Sequence, residues 1–168
     1  MKLADRLRSF EPTVLAQLEH PALRWARPWI VRRNLLTATA HAVALGAALG
    51  ILAGAIPGPL QVISALGLCL SFRANVVAAV AASFWTNPLT IAPIYLLAHT
   101  VGRLFLPGDT ASASFAGFSA LSSGAWLADL GVWVAQLGTP LLVGLPVLTG
   151  TLAFIAYFAV RALWARSG

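Results

Sequence analysis

The chain has 168 residues, of which 59% are hydrophobic and 10% are charged, whereas about 25% of the residues of a soluble domain are charged. A soluble fold of this length would have too few charged side chains to cover its surface, so the composition excludes an ordinary soluble domain and predicts an integral membrane protein. The net charge is +6, and because the basic residues flank the apolar region, their position favours a role in membrane orientation over nucleic-acid binding.

Residues 1–34 form a basic segment ahead of the first apolar run. Hydrophobic residues recur in it at near-helical spacing, and Trp25 and Trp29 lie among arginines, as is typical of the lipid headgroup layer. We therefore predict a cytoplasmic or interfacial amphipathic segment; a disordered basic arm is the alternative. The apolar run begins late for a cleaved signal peptide, so we expect it to be retained. The basic residues of the segment are Lys2, Arg6, Arg8, Arg24, Arg27, Arg32 and Arg33.

Two apolar segments follow this basic segment. Residues 35–56 carry no charge and are long enough to cross a bilayer. Pro57-Gly58-Pro59 ends this first span, because neither proline has a backbone N–H. Residues 60–72 are apolar again, but 13 helical residues are only about 20 Å long against a hydrocarbon core of about 30 Å. This second segment is predicted to be a short span or a half-helix.

Glycine recurs every four residues in the first span, at Gly46, Gly50, Gly54 and Gly58. This spacing exposes the backbone along one helix face and lets another helix approach closely. Helix packing or homodimerisation is the expected use of this face, and a substrate groove is the alternative.

Arg73-Ala74-Asn75 closes the short segment, and residues 76–106 form the next span. Asn87-Pro88 interrupts it: asparagine is a strong N-cap and proline is favoured at the first helical position, so a new helix is predicted to start at Asn87. Within a membrane, the unpaired N–H groups of such a helix end would face the interior, as in sites that bind anions. The alternative is a kinked helix near an interface, anchored by Trp85.

The last third of the chain begins with a segment rich in serine, alanine and glycine. Residues 107–129 have no basic residue and are predicted to be a loop outside the cytoplasm. Residues 130–164 are too long for one straight span, so we expect a broken span or a helical hairpin. The predicted break points are Pro140, Gly144, Pro146 and Gly150.

Basic chain ends on the cytoplasmic side require an even number of crossings, most simply four: 35–56, 60–72, 76–106 and 130–164. Arg73 then lies near the cytoplasm. In the rival layout residues 60–86 form a re-entrant hairpin with Arg73 at its tip, but its simplest version puts the two ends on opposite sides. The predicted fold is therefore all-α, a polytopic integral membrane helical bundle with broken or half-length helices over residues 35–166, in the bacterial inner membrane with both termini cytoplasmic.

The polar residues within the apolar spans concentrate between residues 54 and 95, and this stretch is the predicted ligand-binding region. Arg73 and Arg103 have no acidic partner in the spans, so each is either a topology anchor or a charge partner for an anionic solute or lipid headgroup. The predicted ligand-binding residues are Gln61, Arg73, Asn75, Asn87, Thr90 and Tyr95.

Few residues could support catalysis or metal binding. The five acidic residues lie in the basic segment or at the borders of the loop, and no two of them pair inside a span, so we expect no enzymatic activity. The histidines and the single Cys69 lack ligand spacing, so we expect no metal and no cofactor. His41 and His99 are predicted to be packing residues bonded to a carbonyl, with a proton relay as the alternative. No nucleic-acid partner is expected, because the basic segment has no aromatic platform clear of the membrane.

Three stretches resemble a known family: AHAVALGAALGILAGAIPGPLQ, then RAN, then FWTNPLTIAPIYLLAHTVGRLFL. Over about residues 35–106 they look like the bacterial membrane family called domain of unknown function 2062, and PLLVGLPVLTG with the final apolar run matches its tail more loosely. The specific part is Asn87-Pro88-Leu89-Thr90 with Pro93 and Tyr95. The resemblance implies a small inner-membrane protein with an N-terminal cytoplasmic segment, sometimes joined to soluble domains such as glycosyltransferase-like ones. It carries over no catalytic or binding residues.

Two functions remain open from the sequence. The first is a transporter- or channel-like bundle, acting as a homo-oligomer on a polar or anionic solute or on a lipid. The second is a membrane anchor or scaffold that recruits a soluble partner, such as an envelope-building enzyme, through residues 1–34. Membrane lipids are expected partners in both.

Overall fold

The computed structural model describes residues 27–56, 58, 60–106 and 126–167. All the regular structure in these residues is helical, which confirms the all-α class. The predictions for residues 1–26 and for residues 107–125 lie outside the described residues. The helices are α1 (Arg27–Arg32), α2 (Ala40–Gly54), α3 (Leu60–Phe72), α4 (Val76–Ser83), α5 (Ile91–Phe105), α6 (Trp126–Gln136) and α7 (Gly138–Ser167).

The helices fall into two compact units. The first unit contains the chain up to Trp85 together with the end of α7 from Leu152, and the second unit runs from Thr86 to Thr151. Each unit has its own cluster of buried hydrophobic residues. Leu49, Leu66 and Val76 belong to the core of the first unit, and Ile91, Trp133 and Leu141 belong to that of the second.

The first span begins later than predicted, at Ala40 instead of residue 35. The backbone N–H of Leu35 donates to the carbonyl of Ile30, and Asn34 adopts a positive φ of 58°. This is the hydrogen-bond pattern of a Schellman motif, which ends α1. The Thr39 hydroxyl then accepts a hydrogen bond from the N–H of Ala42 (3.2 Å) and caps α2. Residues 33–39 therefore connect two helices, whereas the sequence predicted one long helix from residue 35.

Helix α3 begins and ends at the residues expected for the short apolar segment. The turn before it contains Gly58, whose φ of 82° is a conformation that favours glycine. Gly58 therefore lies beyond α2, and its assignment to the packing face of that helix is wrong. At the other end, Arg73 has a φ of 53°, and the N–H of Ala74 donates to the carbonyl of Cys69 (3.3 Å). This is a second Schellman motif, with arginine at the position where glycine is usual.

The glycine face of α2 packs against α4 of the same chain. A Cβ on Gly46 would meet the backbone of Asn75, one on Gly50 would meet that of Ala79, and one on Gly54 would meet that of Ser83. The three pairs advance by four residues along both helices, so α2 and α4 run parallel, with α3 connecting them. This face is therefore used for helix packing within the chain, which is the first of its two expected uses.

The predicted span 76–106 is two helices, α4 and α5, separated by residues 84–90. In this break the indole N–H of Trp85 donates to the carbonyl of Ile51 (3.0 Å). Trp85, which the alternative prediction makes an interfacial anchor, therefore links the end of α4 to α2 by a hydrogen bond.

Residues 130–164 contain a break, but at a different position from those predicted. Helix α6 already begins at Trp126, inside the predicted loop, and it ends at Gln136. Leu137 separates it from α7, whose first residue, Gly138, has a φ of 61°, and α7 continues through Pro146 to Ser167. The left-handed conformation that ends α6 is adopted readily by glycine. A proline in the first turn does not interrupt a helix, because the N–H groups of that turn have no carbonyl partner within the helix. Pro140 is therefore compatible with the start of α7.

Close packing also joins α5 and α7 within the second unit. A Cβ on Gly102 would meet the carbonyl of Pro140, and one on Gly144 would meet the carbonyl of Ala98. The order of the pairs reverses along the chain, so these two helices run antiparallel.

One helix in the described part of the chain is long and apolar enough to cross a membrane, namely residues Gly138–Arg166 of α7. Helices α2, α3 and α5 are apolar but shorter, with 13 to 15 residues each. At 1.5 Å per residue, such helices are about 20 Å long.

Candidate functional site

The six predicted ligand-binding residues are divided between the two units. Gln61, Arg73 and Asn75 lie in the first unit, and Asn87, Thr90 and Tyr95 lie in the second. Within the first unit Gln61 is at the start of α3, whereas Arg73 and Asn75 lie beyond its end. The length of α3 therefore separates Gln61 from the other two.

Asn75 is buried, and each of its polar groups has a partner within the first unit. Its Oδ1 accepts from the N–H of Ala78 (2.8 Å) and caps α4, and its Nδ2 donates to the carbonyl of Thr37 (3.1 Å). Its backbone N–H donates to the carbonyl of Ala42 (2.9 Å), and its carbonyl accepts from the N–H of Ala79 (3.1 Å). Both polar atoms of the Asn75 amide are therefore used within the chain, and the residue links α4 to α2 and to the segment before α2.

Arg73 and Arg33 meet the same end of α3. The guanidinium of Arg33 donates to the carbonyl of Leu70 (2.7 Å), in the last turn of α3. A cation at this position satisfies a terminal carbonyl and interacts favourably with the negative end of the helix dipole. Arg73 is exposed and follows directly in the chain. This part of the first unit therefore has a concentration of positive charge.

Replacing Arg73 by glycine is expected to leave the free energy of unfolding unchanged or raise it by up to about 1 kcal/mol, because glycine adopts the left-handed conformation of this residue without a steric cost. Arg73→Val should lower it by about 1–2 kcal/mol, since a branched side chain is least compatible with a positive φ. Unfolding of the detergent-solubilised protein by denaturant measures both variants. Equal stability of the two variants would contradict the Schellman geometry at this residue.

Asn87 and Thr90 form a reciprocal capping box before α5. The Asn87 Oδ1 accepts from the N–H groups of Leu89 (2.9 Å) and Thr90 (3.1 Å), and the Thr90 hydroxyl accepts from the N–H of Asn87 (3.0 Å). The carbonyl of Asn87 also accepts from the N–H of Ile91 (2.9 Å). The N–H groups of Asn87, Leu89, Thr90 and Ile91 thus have partners within the chain, so for these groups the expectation of an unpaired helix end is wrong. The capping function predicted for Asn87 is present, although regular helix begins only at Ile91.

Gln61 and Tyr95 are both buried. Gln61 has an interaction partner within the protein. The ring of Tyr95 stacks on that of Trp133, with 6.3 Å between the ring centroids and 18° between the planes. Tyr95 thus belongs to the core of the second unit, where α5 packs against α6.

His99 is the buried polar residue whose bonding is incomplete. Its Nδ1 lies 2.9 Å from the carbonyl oxygen of Leu137, at the break between α6 and α7. A carbonyl only accepts, so Nδ1 carries a proton and donates, as predicted for a packing histidine. Its Nε2 is buried and has no hydrogen-bond partner in the described part of the chain. The sequence did not predict this open acceptor, because the residue that fixes the ring is 38 positions away.

His41, Tyr157 and Arg161 form a polar cluster on the surface of the first unit. The Tyr157 hydroxyl lies 2.9 Å from the Nδ1 of His41 and 3.3 Å from a guanidinium nitrogen of Arg161. The prediction that His41 bonds to a carbonyl is therefore wrong. The four-residue spacing of Tyr157 and Arg161 indicates that the two side chains are neighbours on one helix. Their contact with His41 has no such signal, because His41 is more than a hundred residues away in the chain.

Charge in the described residues is almost entirely positive. They contain seven arginines and one acidic residue, Asp129. No group of three metal-ligating side chains occurs among them. The arrangement offers cationic and hydrogen-bonding groups to a partner.

A model of one protein family, described as an uncharacterised protein conserved in bacteria (DUF2062), matches residues 23–167. Comparison with curated proteins and with solved structures gives no match.

Proposed function

Since the chain belongs to the DUF2062 family, whose description assigns no activity, we propose a function from the geometry of the described residues: a membrane-embedded helical anchor that holds a soluble partner at the bacterial inner membrane through residues 1–34. The proposed anchor combines several membrane-inserted helices with a basic segment on the cytoplasmic side.

The exposed surface of the helices supports insertion in lipid. Only 22% of the apolar window in α7 is buried, whereas an apolar helix in the core of a soluble protein is mostly buried. Exposed large apolar residues also occur on α3 and α5. Such a surface is unfavourable in water, at about 25 cal/mol for each Å² of apolar area. Examples are Phe72, Leu104, Leu142, Phe154 and Leu163.

The distribution of arginines supports four crossings with both ends in the cytoplasm. Arg33 and Arg73 meet the C-terminal end of α3, and the Asn75 side chain links this region to Thr37, ahead of α2. Arg161 contacts Tyr157, which bonds to His41 in the first turn of α2. Positive charge thus collects at one end of the first unit, as the positive-inside rule requires of a cytoplasmic face. Helices as short as α3 are accommodated by local thinning of the bilayer.

The observation that carries the choice of an anchor over a transporter is the internal use of the predicted solute-binding groups. Asn75, Asn87 and Thr90 are hydrogen-bonded within their own units, and the glycine face of α2 is covered by α4. A solute would have to displace these bonds. Residues 1–34, in contrast, carry charge of both signs and offer binding groups to a soluble protein.

A crosslinking experiment in cells tests the anchor. Residues 2–26 would be deleted, and α1 kept because Ile30 is buried in the core of the first unit. We expect the crosslinked soluble partner to be lost while the shortened chain remains in the membrane fraction after alkaline extraction. Asn87→Ala is the matched control and should retain the partner. Loss with Asn87→Ala but not with the deletion would reject the proposal.

A solute or proton pathway is the second candidate, and the open Nε2 of His99 favours it, since histidine transfers protons in the relays of pumps and transporters. Proteoliposomes loaded with a pH-sensitive dye distinguish the two candidates. The anchor predicts the proton permeability of empty vesicles for the unaltered chain and for His99→Gln. Proton flux that His99→Gln abolishes would establish the pathway and remove the anchor as the sole function.

A further inference from the structure

We propose that His41, Tyr157 and Arg161 form a binding site for the phosphate of an anionic phospholipid headgroup. The inference rests on the membrane insertion proposed above but not on the anchor or on any soluble partner. It concerns a cluster of side chains that lies outside the predicted ligand-binding region.

Two hydrogen bonds join the three side chains. A guanidinium only donates, so the Tyr157 hydroxyl accepts from Arg161, and the proposed site uses the arrangement in which its own proton is directed to the Nδ1 of His41. In the neutral imidazole the proton is then on Nε2. His41 therefore presents an N–H group to its surroundings, and its side chain is exposed.

Two contacts with Tyr157 hold the guanidinium of Arg161 in place, and neither of them neutralises its charge. Its guanidinium carbon lies 5.8 Å from the centroid of the Tyr157 ring, and one of its nitrogens bonds to the Tyr157 hydroxyl. The described residues of the first unit include no acidic side chain. The remaining N–H groups form a planar fork that matches two oxygens of a phosphate.

The position of the cluster along α7 fits a headgroup. Residues 138–160 of α7 carry no charge, and Arg161 is the first charged residue reached along the helix. Just before it, the rings of Phe154 and Phe158 are exposed and lie 4.7 Å apart between centroids. Acyl chains would cover these rings while the phosphate contacts Arg161 and His41. The first turn of α2, which contains His41, adds the positive end of a helix dipole.

Anionic phospholipid is the source of phosphate that this position favours over free phosphate, because the apolar rings beside the cluster contribute only when the ligand has acyl chains. A zwitterionic lipid also has a phosphate, but its choline group repels the arginine. The site should therefore prefer phosphatidylglycerol to phosphatidylcholine.

Native mass spectrometry of the full chain in a neutral detergent, titrated with each of the two lipids, tests this preference. We expect phosphatidylglycerol to bind about five- to tenfold more tightly than phosphatidylcholine, the size of effect that one or two interfacial cations produce. Arg161→Gln should reduce the ratio to near one, and Tyr157→Phe should reduce it partially. Millimolar inorganic phosphate should not displace the lipid.

Arg166→Gln is the matched control, since it removes the same charge from the same helix five residues later, and it should keep the preference. Arg161→Lys, which keeps the charge but not the fork, should fall between Arg161→Gln and the unaltered chain, and it serves as the second variant if Arg161→Gln does not fold. An equal loss in Arg161→Gln and Arg166→Gln, or displacement of the lipid by inorganic phosphate, would overturn the site. A chain that is retained in membranes but shows no lipid preference would reject only this inference.

Discussion

Gly50→Val is expected to lower the free energy of unfolding by about 3 kcal/mol, the upper end of the range for overpacked cores. A Cβ on Gly50 would lie 2.8 Å from the Cβ of Ala82 and closer still to the carbonyl of Ala79. Neither neighbour is a flexible side chain, so α2 and α4 would have to separate. Loss of their contact should also open the first unit to proteolysis. The measurement is denaturant unfolding in detergent, combined with limited proteolysis.

Gly67→Val is the matched control for this prediction. Gly67 is also helical, in α3, but in the described part of the chain a Cβ there would meet open space beyond its own stretch of helix. The change should alter the free energy of unfolding by less than about 0.5 kcal/mol, as is usual for surface substitutions. Equal losses at Gly50 and Gly67 would show that valine is harmful in these helices for a reason other than the α2–α4 contact.

Asn75→Ala is expected to lower the free energy of unfolding by about 2–3 kcal/mol. The substitution removes the cap of α4, at a cost of about 1 kcal/mol, and leaves the carbonyl of Thr37 without its donor, at a further cost of about 1–2 kcal/mol. Asn75→Asp keeps the capping oxygen but not the donor, so its stability should be intermediate. The same unfolding titration measures both variants.

Asn87→Ala provides the comparison, because Asn87 is also an N-cap but is exposed, and among the described residues its side chain bonds only to the backbone N–H groups of Leu89 and Thr90. Its expected loss is about 1 kcal/mol. If Asn75→Ala costs no more than Asn87→Ala, the Asn75 side chain does not fasten α4 to the segment before α2.

The sequence predicted the bounds of a helix best where residues that interrupt a helix lie at both of its ends. Helix α3 lies between Pro57-Gly58-Pro59 and the Arg73-Ala74-Asn75 turn, and its bounds agree with the prediction. Long apolar runs were predicted less well. The break between α6 and α7 lies at Leu137, just before Gly138, and only a positive φ distinguishes this glycine from Gly144 and Gly150. Composition offers no signal for such a choice.

The candidate site was harder to predict than the helices, because a polar residue in an apolar segment has the same appearance whether it binds a ligand or the chain itself. The bonds of Asn75 reach Thr37 and Ala42, more than thirty residues earlier. Periodicity identifies a helix face but not the helix that covers it. The glycine spacing of α2 thus predicted a face for close helix packing. Which helix covers that face, and in which direction it runs, depends on the path of the chain through α3 to α4.

This pairing has a consequence for biosynthesis. Gly46 precedes its contact, Asn75, by 29 residues, so at about 5–20 residues per second a ribosome needs a few seconds to deliver the second helix after the first. During that interval α4 does not yet cover the side of α2 that carries Gly46, Gly50 and Gly54. Truncated products that stop before α4 would keep that side uncovered permanently and should self-associate, whereas α4 covers it in the complete chain.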